Sequence, residues 1–148
     1  MLVSHIPTVW QQRIDKLRMK LERGKAAVKP QVMLVRNETR DSVLAESADV
    51  ADSSAKRQKG LLGRDSLPAG SGLWIIPCEG VHTCGMRFAI DVLYLDRKKR
   101  VRKVRRAMAP WRFSMCLLAH SVLELPAGVI QQTGTEPGDQ LDFVLREL

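Results

Sequence analysis

The chain has 148 residues, enough for one compact domain and a short appendage, and its 45% hydrophobic and 27% charged residues exclude a disordered protein. Its longest apolar runs, such as Leu73 to Pro77, are too short to cross a bilayer, and its first residues lack the pattern of a secretory signal. The three cysteines are few and odd in number, which argues against a disulfide scaffold. We therefore expect a cytoplasmic protein.

The net charge of +8 is concentrated in two segments. Residues 97–113 hold nine basic side chains and no acidic one, and residues 1–30 hold seven basic and two acidic ones. Such asymmetry is typical of proteins that bind a polyanion, either nucleic acid or an acidic membrane surface. The candidate contacts are Lys98, Lys99, Arg100, Arg102, Lys103, Arg105 and Arg106.

A solvated basic hairpin is the alternative interpretation of residues 97–113. Aromatic side chains on which bases could stack are few, since only Trp111 and Phe113 lie nearby. Nucleic acid is therefore an alternative partner and not the favoured one.

The first 30 residues predict a basic amphipathic helix followed by a linker. Apolar residues recur from Trp10 to Leu21 at spacings of four, three and four, which places them on one face, and basic residues fill the opposite face. Thr8 is suited to begin the helix, Gly24 to end it, and Pro30 to close the linker. We expect this helix to pack on its own domain, with a partner protein or a membrane surface as the alternatives.

From residue 31 to residue 148 the sequence predicts one domain built mainly of short strands. Alternating and β-branched runs predict strands over residues 32–36, 42–52, 72–77, 88–96 and 101–108. A last strand is expected after the turn that begins at Pro137.

Two short helices are predicted between these strands. Residues 53–63 form the first, capped by Asp52 or Ser53 and closed by Gly63. A further strand is expected from Ser121, and it enters the second helix at Pro126. Regular alternation of strands and helices is missing. The sequence therefore predicts an α+β fold, with a mostly antiparallel sheet or a partly closed barrel and two or three short helices besides the N-terminal one.

The stretch from Cys78 to Met86 carries the residue types of a metal site. If it is extended, His82, Cys84 and Met86 point to one side, because side chains alternate along a strand. Thiolate, imidazole and thioether groups suit Cu(I), and Cys78, His82 and Cys84 would suit Zn²⁺. The alternative interpretation is that Cys84 and Met86 fill the core and His82 makes one structural hydrogen bond.

The same stretch has the residue types of an activated thiol. Cys78 or Cys84 beside His82, oriented by Asp91, would form a Cys-His-Asp arrangement. Residue types alone are weak evidence, because such sites are recognised by geometry. Asp91 interrupts an otherwise apolar strand, so its carboxylate needs a partner, and we expect a structural pair with Arg87 or His82.

Several blocks between about Ala48 and Val144 occur in a recognisable order and spacing: KGLLGRDSL, GLWIIPCEGVHTCGMRFAIDVLYLD, APWR and VLELPAGVIQQTGTEPGDQL. In these blocks the chain resembles the domain of unknown function 192 family, also called uncharacterised protein family 0127. The resemblance implies a small α+β domain of bacterial or archaeal type. It implies no activity, since none is agreed for the family.

Individual positions carry this resemblance. The matching residues are Gly60, Leu61, Arg64, Pro77, Cys78, His82, Thr83, Met86, Ile90, Asp91, Glu124, Gly128, Gly138 and Asp139. Cys84 and Ala89 depart from the family, where an aromatic residue and a proline are common. The departure at Cys84 weakens a metal site that depends on it.

We expect a non-enzymatic binding or accessory module with a pocket around His82 and Asp91, because polar groups beside apolar strands are typical of small-ligand sites. The candidate ligand-binding residues are Arg64, His82, Thr83, Met86, Arg87 and Asp91. No catalytic residue and no cofactor is identified, and the expected partner is a small ligand or a protein. The alternatives are sequence-nonspecific nucleic-acid binding through residues 97–106 and the Cys/His metal or thiol site.

Overall fold

The computed structural model of the protein describes residues 12–19 and 31–147. The chain divides into two compact units, Met1–Pro30 and Gln31–Leu148. In the first unit, residues 12–19 form a helix, α1, which confirms this part of the predicted N-terminal helix. Its other predicted positions, including Trp10, Leu21 and the linker, lie outside the described residues.

Within residues 31–147 the second unit contains nine strands and two short helices. In chain order these are β1 (Gln31–Asn37), β2 (Ser42–Ala51), α2 (Ser54–Lys59), β3 (Ser71–Ile75), β4 (Gly80–His82), β5 (Ile90–Leu95), β6 (Val101–Met108), β7 (Phe113–Met115), β8 (Ser121–Pro126), α3 (Val129–Thr133) and β9 (Leu141–Glu147).

Seven of these strands form one sheet in the order β6-β5-β8-β3-β2-β1-β9. All neighbouring strands are antiparallel except β2 and β3, which are parallel and therefore need a long crossover, the one that contains α2. The predicted α+β fold with a mostly antiparallel sheet is confirmed. The sheet is open and does not close into a barrel, because its edge strands β6 and β9 are not paired with each other; only an isolated bridge, Arg100 with Gln140, joins the residues just before them.

The large sheet has a hydrophobic core on each face. The small antiparallel sheet of β4 and β7 covers one side, which we call the β4 face, where Val81 of β4 packs with Ile90, Val92 and Tyr94 of β5. Helix α3 covers the other side, the α3 face, where its Ile130 packs in the same core as Leu93 and Leu95. Strand β5 is buried on both faces, which explains its nearly continuous apolar run.

Three local expectations are corrected by the structure. Ser53 caps α2 as predicted, but the helix ends at Lys59, with Gly60 and not Gly63 as its C-cap. Pro126 is the last residue of β8 and does not begin a helix, and α3 starts only after Gly128, whose φ of 101° suits glycine. The short strands β4 and β7 were not among the predicted elements.

The extended course from His82 to Met86, which was the condition for aligning His82, Cys84 and Met86, is not found. The chain leaves β4 at His82 and turns back, with the Met86 N–H donating to the Thr83 carbonyl oxygen (3.1 Å). Gly85 supplies the positive φ of 81° that this turn requires. The side chains of His82, Cys84 and Met86 consequently do not follow the alternation of a strand.

Candidate functional site

A cleft of about 380 Å³ opens on the β4 face, between α2 with the residues that follow it, β4 and the large sheet. Its walls combine apolar side chains with a few polar ones, which is the usual make-up of a small-ligand site. The apolar lining includes Leu61, Ile75, Val81 and Met86, and the polar lining includes Arg57, Lys59, Cys78, His82 and Glu124.

Glu124 of β8 is the most unusual of these residues. Its side chain is buried, with the residue only 4% exposed, and its Oε2 has no hydrogen-bond partner among the described residues. Buried polar atoms are nearly always hydrogen-bonded, so an orphaned carboxylate oxygen in a cleft indicates a place for a ligand group. Burial raises the pKa of Glu124 from 4.5 to about 7, and the nearby charge of Arg64 acts in the opposite direction.

Arg64 follows α2 and is half-exposed beside the cleft. Its Nη2 donates to Oδ2 of Asp49 on β2 at 3.2 Å. The guanidinium influences Glu124 through its charge, which lowers the pKa of that carboxyl. Arg64 is absent from the lining of the cleft, so this candidate residue belongs only to the electrostatic surroundings of Glu124.

Arg57 anchors α2 as one wall of the cleft. Its Nη1 donates to the carbonyl oxygens of Asp52 (2.8 Å) and Ile76 (3.3 Å), and its Nη2 donates to Ser54 Oγ (3.3 Å). A six-residue helix with no buried side chain needs such an anchor, because it contributes nothing to the core. Lys59, at the end of this helix, leaves an exposed cation at the rim.

Cys78 lies half-buried in the cleft, and its thiol donates to the Gly80 carbonyl oxygen at 3.1 Å. Burial raises the pKa of this thiol, and the nearby negative charge of Glu124 raises it further. A protonated thiol is a poor nucleophile, so these surroundings oppose the thiolate that a Cys-dependent reaction needs.

The three predicted site residues that follow β4 have different surroundings. His82 is exposed and lines the cleft, and Met86 is buried in its apolar wall. Thr83 is buried and structural, because its hydroxyl donates to the Ala109 carbonyl oxygen (2.7 Å) and accepts from the Arg112 N–H (2.9 Å). The structure thus places His82 and Met86 together in the cleft and uses Thr83 to hold a neighbouring loop.

Asp91 does not share the cleft with His82. Its Oδ1 accepts from the Ala107 N–H (2.7 Å), and its Oδ2 accepts from the N–H groups of Gly128 (3.1 Å) and Ile130 (2.8 Å). These partners lie at a bulge in β6 and at the start of α3, on the α3 face. The expectation of a pocket that contains both His82 and Asp91 is therefore wrong, because alternation along β5 sends the Asp91 side chain through the opposite face.

Arg87 does not neutralise Asp91 either. Its Nη1 is 2.6 Å from Oδ1 of Asp65, and both side chains of this ion pair are largely exposed. The predicted pairing of Asp91 with Arg87 or His82 is wrong, since the buried carboxylate is satisfied by three backbone N–H groups. Arg87 is absent from the lining of the cleft.

The metal site offered as an alternative is not assembled, and the Cys-His-Asp arrangement lacks Asp91, which lies on the α3 face. Across residues 12–19 and 31–147, no three His, Cys, Asp or Glu side chains come close enough together to hold a metal ion. Cys84 lies exposed on the turn after β4, whereas Cys78 precedes β4 and points into the cleft. The turn at Gly85 breaks the extended course on which the alignment of His82, Cys84 and Met86 depended.

The basic segment does not present all its side chains on one surface. The Lys103 ammonium lies 5.6 Å from the ring centroid of Tyr94 and donates to the Met115 carbonyl oxygen (2.8 Å). Lys99 instead lies over the rings of Trp74 (5.7 Å) and Phe143 (5.2 Å), which pack with the core of the α3 face. The seven candidate polyanion contacts are thus divided between the two sides of the sheet.

Glu124, Arg57 and Lys59 are site residues that the sequence interpretation did not select. Glu124 had a detectable signal, because it interrupts the apolar run VLELP just as Asp91 interrupts its own strand. Arg57 and Lys59 gave no such signal, since basic residues on a short exposed helix are common.

The comparisons with known proteins agree with this architecture. A family model described as "Uncharacterized ACR", DUF192, matches residues 35–143. The chain belongs to the DUF192 family. A UPF0127 protein of Thermococcus sibiricus is 32% identical to this DUF192 chain over an alignment of 117 residues that covers 75% of each protein. A UPF0127 protein of Pyrococcus furiosus is 32% identical over 113 residues, covering 72% of the chain and 95% of that relative.

Two crystal structures share the fold of this DUF192 chain. A protein of unknown function from Novosphingobium aromaticivorans has a TM-score of 0.65 at 20% identity, covering 75% of the chain and 83% of its own length. A protein of Sinorhizobium meliloti has a TM-score of 0.67 at 20% identity, covering 76% and 92%. At this identity the likeness concerns the fold alone.

In the described parts of the chain, no helix combines the length and the apolar character that crossing a membrane requires.

Proposed function

We propose that this DUF192 chain is a non-enzymatic binding module that holds a small ligand in the cleft of the β4 face. The observation that carries the proposal is Glu124 Oε2, a buried carboxylate oxygen without a hydrogen-bond partner among the described residues. Leaving such a group unsatisfied costs about 1–3 kcal/mol, which a ligand that donates a hydrogen bond to it would recover. Asp91 forms no part of this site.

The surroundings of Glu124 define the class of ligand. The apolar wall of Leu61, Ile75, Val81 and Met86 favours an apolar body, and Glu124 favours an N–H or O–H donor at its inner end. His82 and Lys59 at the rim leave room for a polar outer end. We therefore propose a small amine, amide or alcohol with an apolar body.

The chemistry of the cleft supports binding over catalysis. Burial raises the pKa of the Cys78 thiol in the cleft, and the Thr83 hydroxyl, which is outside the cleft lining, is engaged by backbone groups. Neither of these side chains is activated as a nucleophile, and a positioned base beside a nucleophile is what covalent catalysis requires.

A thermal-shift screen of small amines, amides and alcohols against the full chain tests the proposal. A ligand at 100 times its Kd stabilises the folded protein by about 2.7 kcal/mol, so binders raise Tm measurably. Binders of the wild type are expected to lose this shift in Glu124→Leu and to keep it in Glu79→Gln, a change at an exposed glutamate. Each variant is compared with its own ligand-free Tm.

Two outcomes would contradict the proposal. If every binder shifts Glu124→Leu as much as the wild type, Glu124 is not the group that the ligand meets. If a binder is chemically converted when it is followed by NMR in the presence of the protein, the module is an enzyme.

A further inference from the structure

Five large apolar side chains are exposed in one short run of the chain. They are Trp111, Phe113, Met115, Leu117 and Leu118. Strand β7 turns Phe113 and Met115 outward and buries Ser114 between them. Trp111 precedes β7, and the two leucines lie in the turn that follows it and are 73% and 67% exposed. We call these five residues the apolar strip; several large apolar side chains exposed within eight residues of chain indicate an interaction surface.

The backbone holds Trp111 in a conformation that few aromatic residues adopt. Its φ is 61°, in the left-handed region that L-residues with large side chains avoid. The Trp111 N–H donates to the Thr83 carbonyl oxygen at 3.1 Å, which fixes the turn. The turn therefore holds the Trp111 backbone in a strained conformation and leaves its indole exposed to solvent.

Basic side chains flank the apolar strip. Arg97, Lys98, Arg100 and Arg102 line one surface depression together with Leu117 and Leu118. Farther along, Lys103 donates to the Met115 carbonyl oxygen, and Arg112 stands exposed inside the run itself. Two acidic side chains share this depression. Asp96 accepts from the backbone N–H groups of Lys98 and Arg100 and lies 4.0 Å from Arg102, and Glu79 is exposed, so the four cations still outnumber the acids.

We propose that the apolar strip and these flanking cations form a docking surface for an anionic phospholipid bilayer. Trp111, Leu117 and Leu118 would enter the boundary between headgroups and acyl chains, where tryptophan is favoured. The flanking Lys and Arg side chains would contact the headgroups, each strengthening binding to an anionic surface by about fivefold. This surface is separate from the cleft, and the proposal does not depend on the ligand.

The composition of the strip favours a bilayer over nucleic acid. Bases stack on aromatic rings, whereas Met115, Leu117 and Leu118 offer no such ring and would stay in water on a phosphate backbone. A bilayer also accepts side chains that project separately from turns, without the matching pocket that a protein partner would need.

Flotation of the full chain with lipid vesicles tests the proposal. The wild type is expected to float with phosphatidylcholine vesicles that contain phosphatidylserine, less so at high salt, and not with pure phosphatidylcholine. The double variant Leu117→Ser/Leu118→Ser should bind at least about tenfold more weakly, because each leucine loses its apolar burial. Arg97→Glu/Lys98→Glu should weaken binding chiefly at low salt.

The matched control is Val144→Ser/Leu145→Ser, which removes two exposed apolar side chains of β9 and should leave flotation unchanged. Circular dichroism checks that each variant folds.

Equal flotation of the leucine variant and the wild type overturns the proposal, as does equal binding to neutral vesicles. Binding to a labelled DNA duplex that displaces the vesicles and is unaffected by the leucine variant would assign the surface to nucleic acid. Failure to float combined with a concentration-dependent dimer that the leucine variant abolishes would assign it to a second copy.

Discussion

Glu124 and Asp91 lie on adjacent strands but project from opposite faces of the sheet. Glu124 of β8 is paired with Val92 of β5, whereas Asp91 is paired with Leu125. Cross-strand partners share a face, so Glu124 joins Val92 on the β4 face and Asp91 joins Leu125 on the α3 face. Asp91 accepts three backbone N–H groups, and Oε2 of Glu124 accepts none from the described residues. Of these two carboxyl groups, only that of Glu124 is therefore available to a ligand.

We predict that Glu124 makes the stability of the protein fall as the pH rises from about 4.5 to about 7. Its folded pKa of about 7 exceeds the ordinary value of 4.5, so in this window the folded state holds more protons than the unfolded state. The stability that the protonated Glu124 carboxyl allows is fully present below pH 4.5 and is lost as the pH rises through 7. The free energy of unfolding should fall by roughly 3 kcal/mol over this window. Urea denaturation at a series of pH values should show this slope in the wild type.

Glu124→Gln should remove most of that slope, because the amide does not titrate. Glu79→Gln is the control, since Glu79 is exposed and its removal should leave the slope in place. Identical slopes in Glu124→Gln and the wild type would show that the buried carboxyl is not the group responsible.

Asp139 should produce the opposite dependence at lower pH. Although burial alone would raise its pKa, hydrogen bonds from Arg40 (2.7 Å) and Asn37 (2.9 Å) hold the pKa below 3.8. Its stabilising contribution is therefore present above the unfolded value and lost as the pH falls through the lower folded value. Asp139→Asn should cost about 2 kcal/mol near neutral pH and flatten the acid limb of the stability curve.

The control for Asp139 is Asp41→Asn, which breaks the exposed ion pair with Arg36 and should change stability by less than about 1 kcal/mol. An acid limb that persists unchanged in Asp139→Asn would mean that other carboxyls cause it.

Asp91→Asn should destabilise the fold without affecting the cleft. The carboxylate joins the Ala107 bulge to the start of α3, and an amide nitrogen would face at least one of these backbone N–H groups. We expect a loss of roughly 3 kcal/mol in the free energy of unfolding, with unchanged ligand shifts. Asp65→Asn, at an exposed ion pair, should cost far less. A stable Asp91→Asn that loses ligand shifts would restore Asp91 to the site.

The sequence predicted the strands of the large sheet and the fold class, but not the short strands β4 and β7, because the longer strands show a local alternation of apolar residues. It could not decide the face on which an acidic residue lies, since that depends on which strands pair and in which register. In the sequence, Asp91 and Glu124 each look like an acidic residue within an apolar strand. The register in which β5 pairs with β8 places them on opposite faces of the sheet. The alignment of His82, Cys84 and Met86 is absent for a local reason. The chain turns at Gly85 instead of continuing as the assumed strand.

Cys78 should react slowly with iodoacetamide in the folded protein. Burial and the charge of Glu124 raise the pKa of its thiol, so little thiolate exists at neutral pH, whereas Cys84 is exposed on its turn. Peptide mass spectrometry after brief alkylation at pH 7 should find Cys84 modified first, and unfolding in urea should remove the difference. Glu124→Gln should speed the labelling of Cys78 by removing a negative charge. If Cys78 instead reacts faster in the folded chain than in urea, the cleft activates its thiol, and the cysteine-based alternative displaces the binding module.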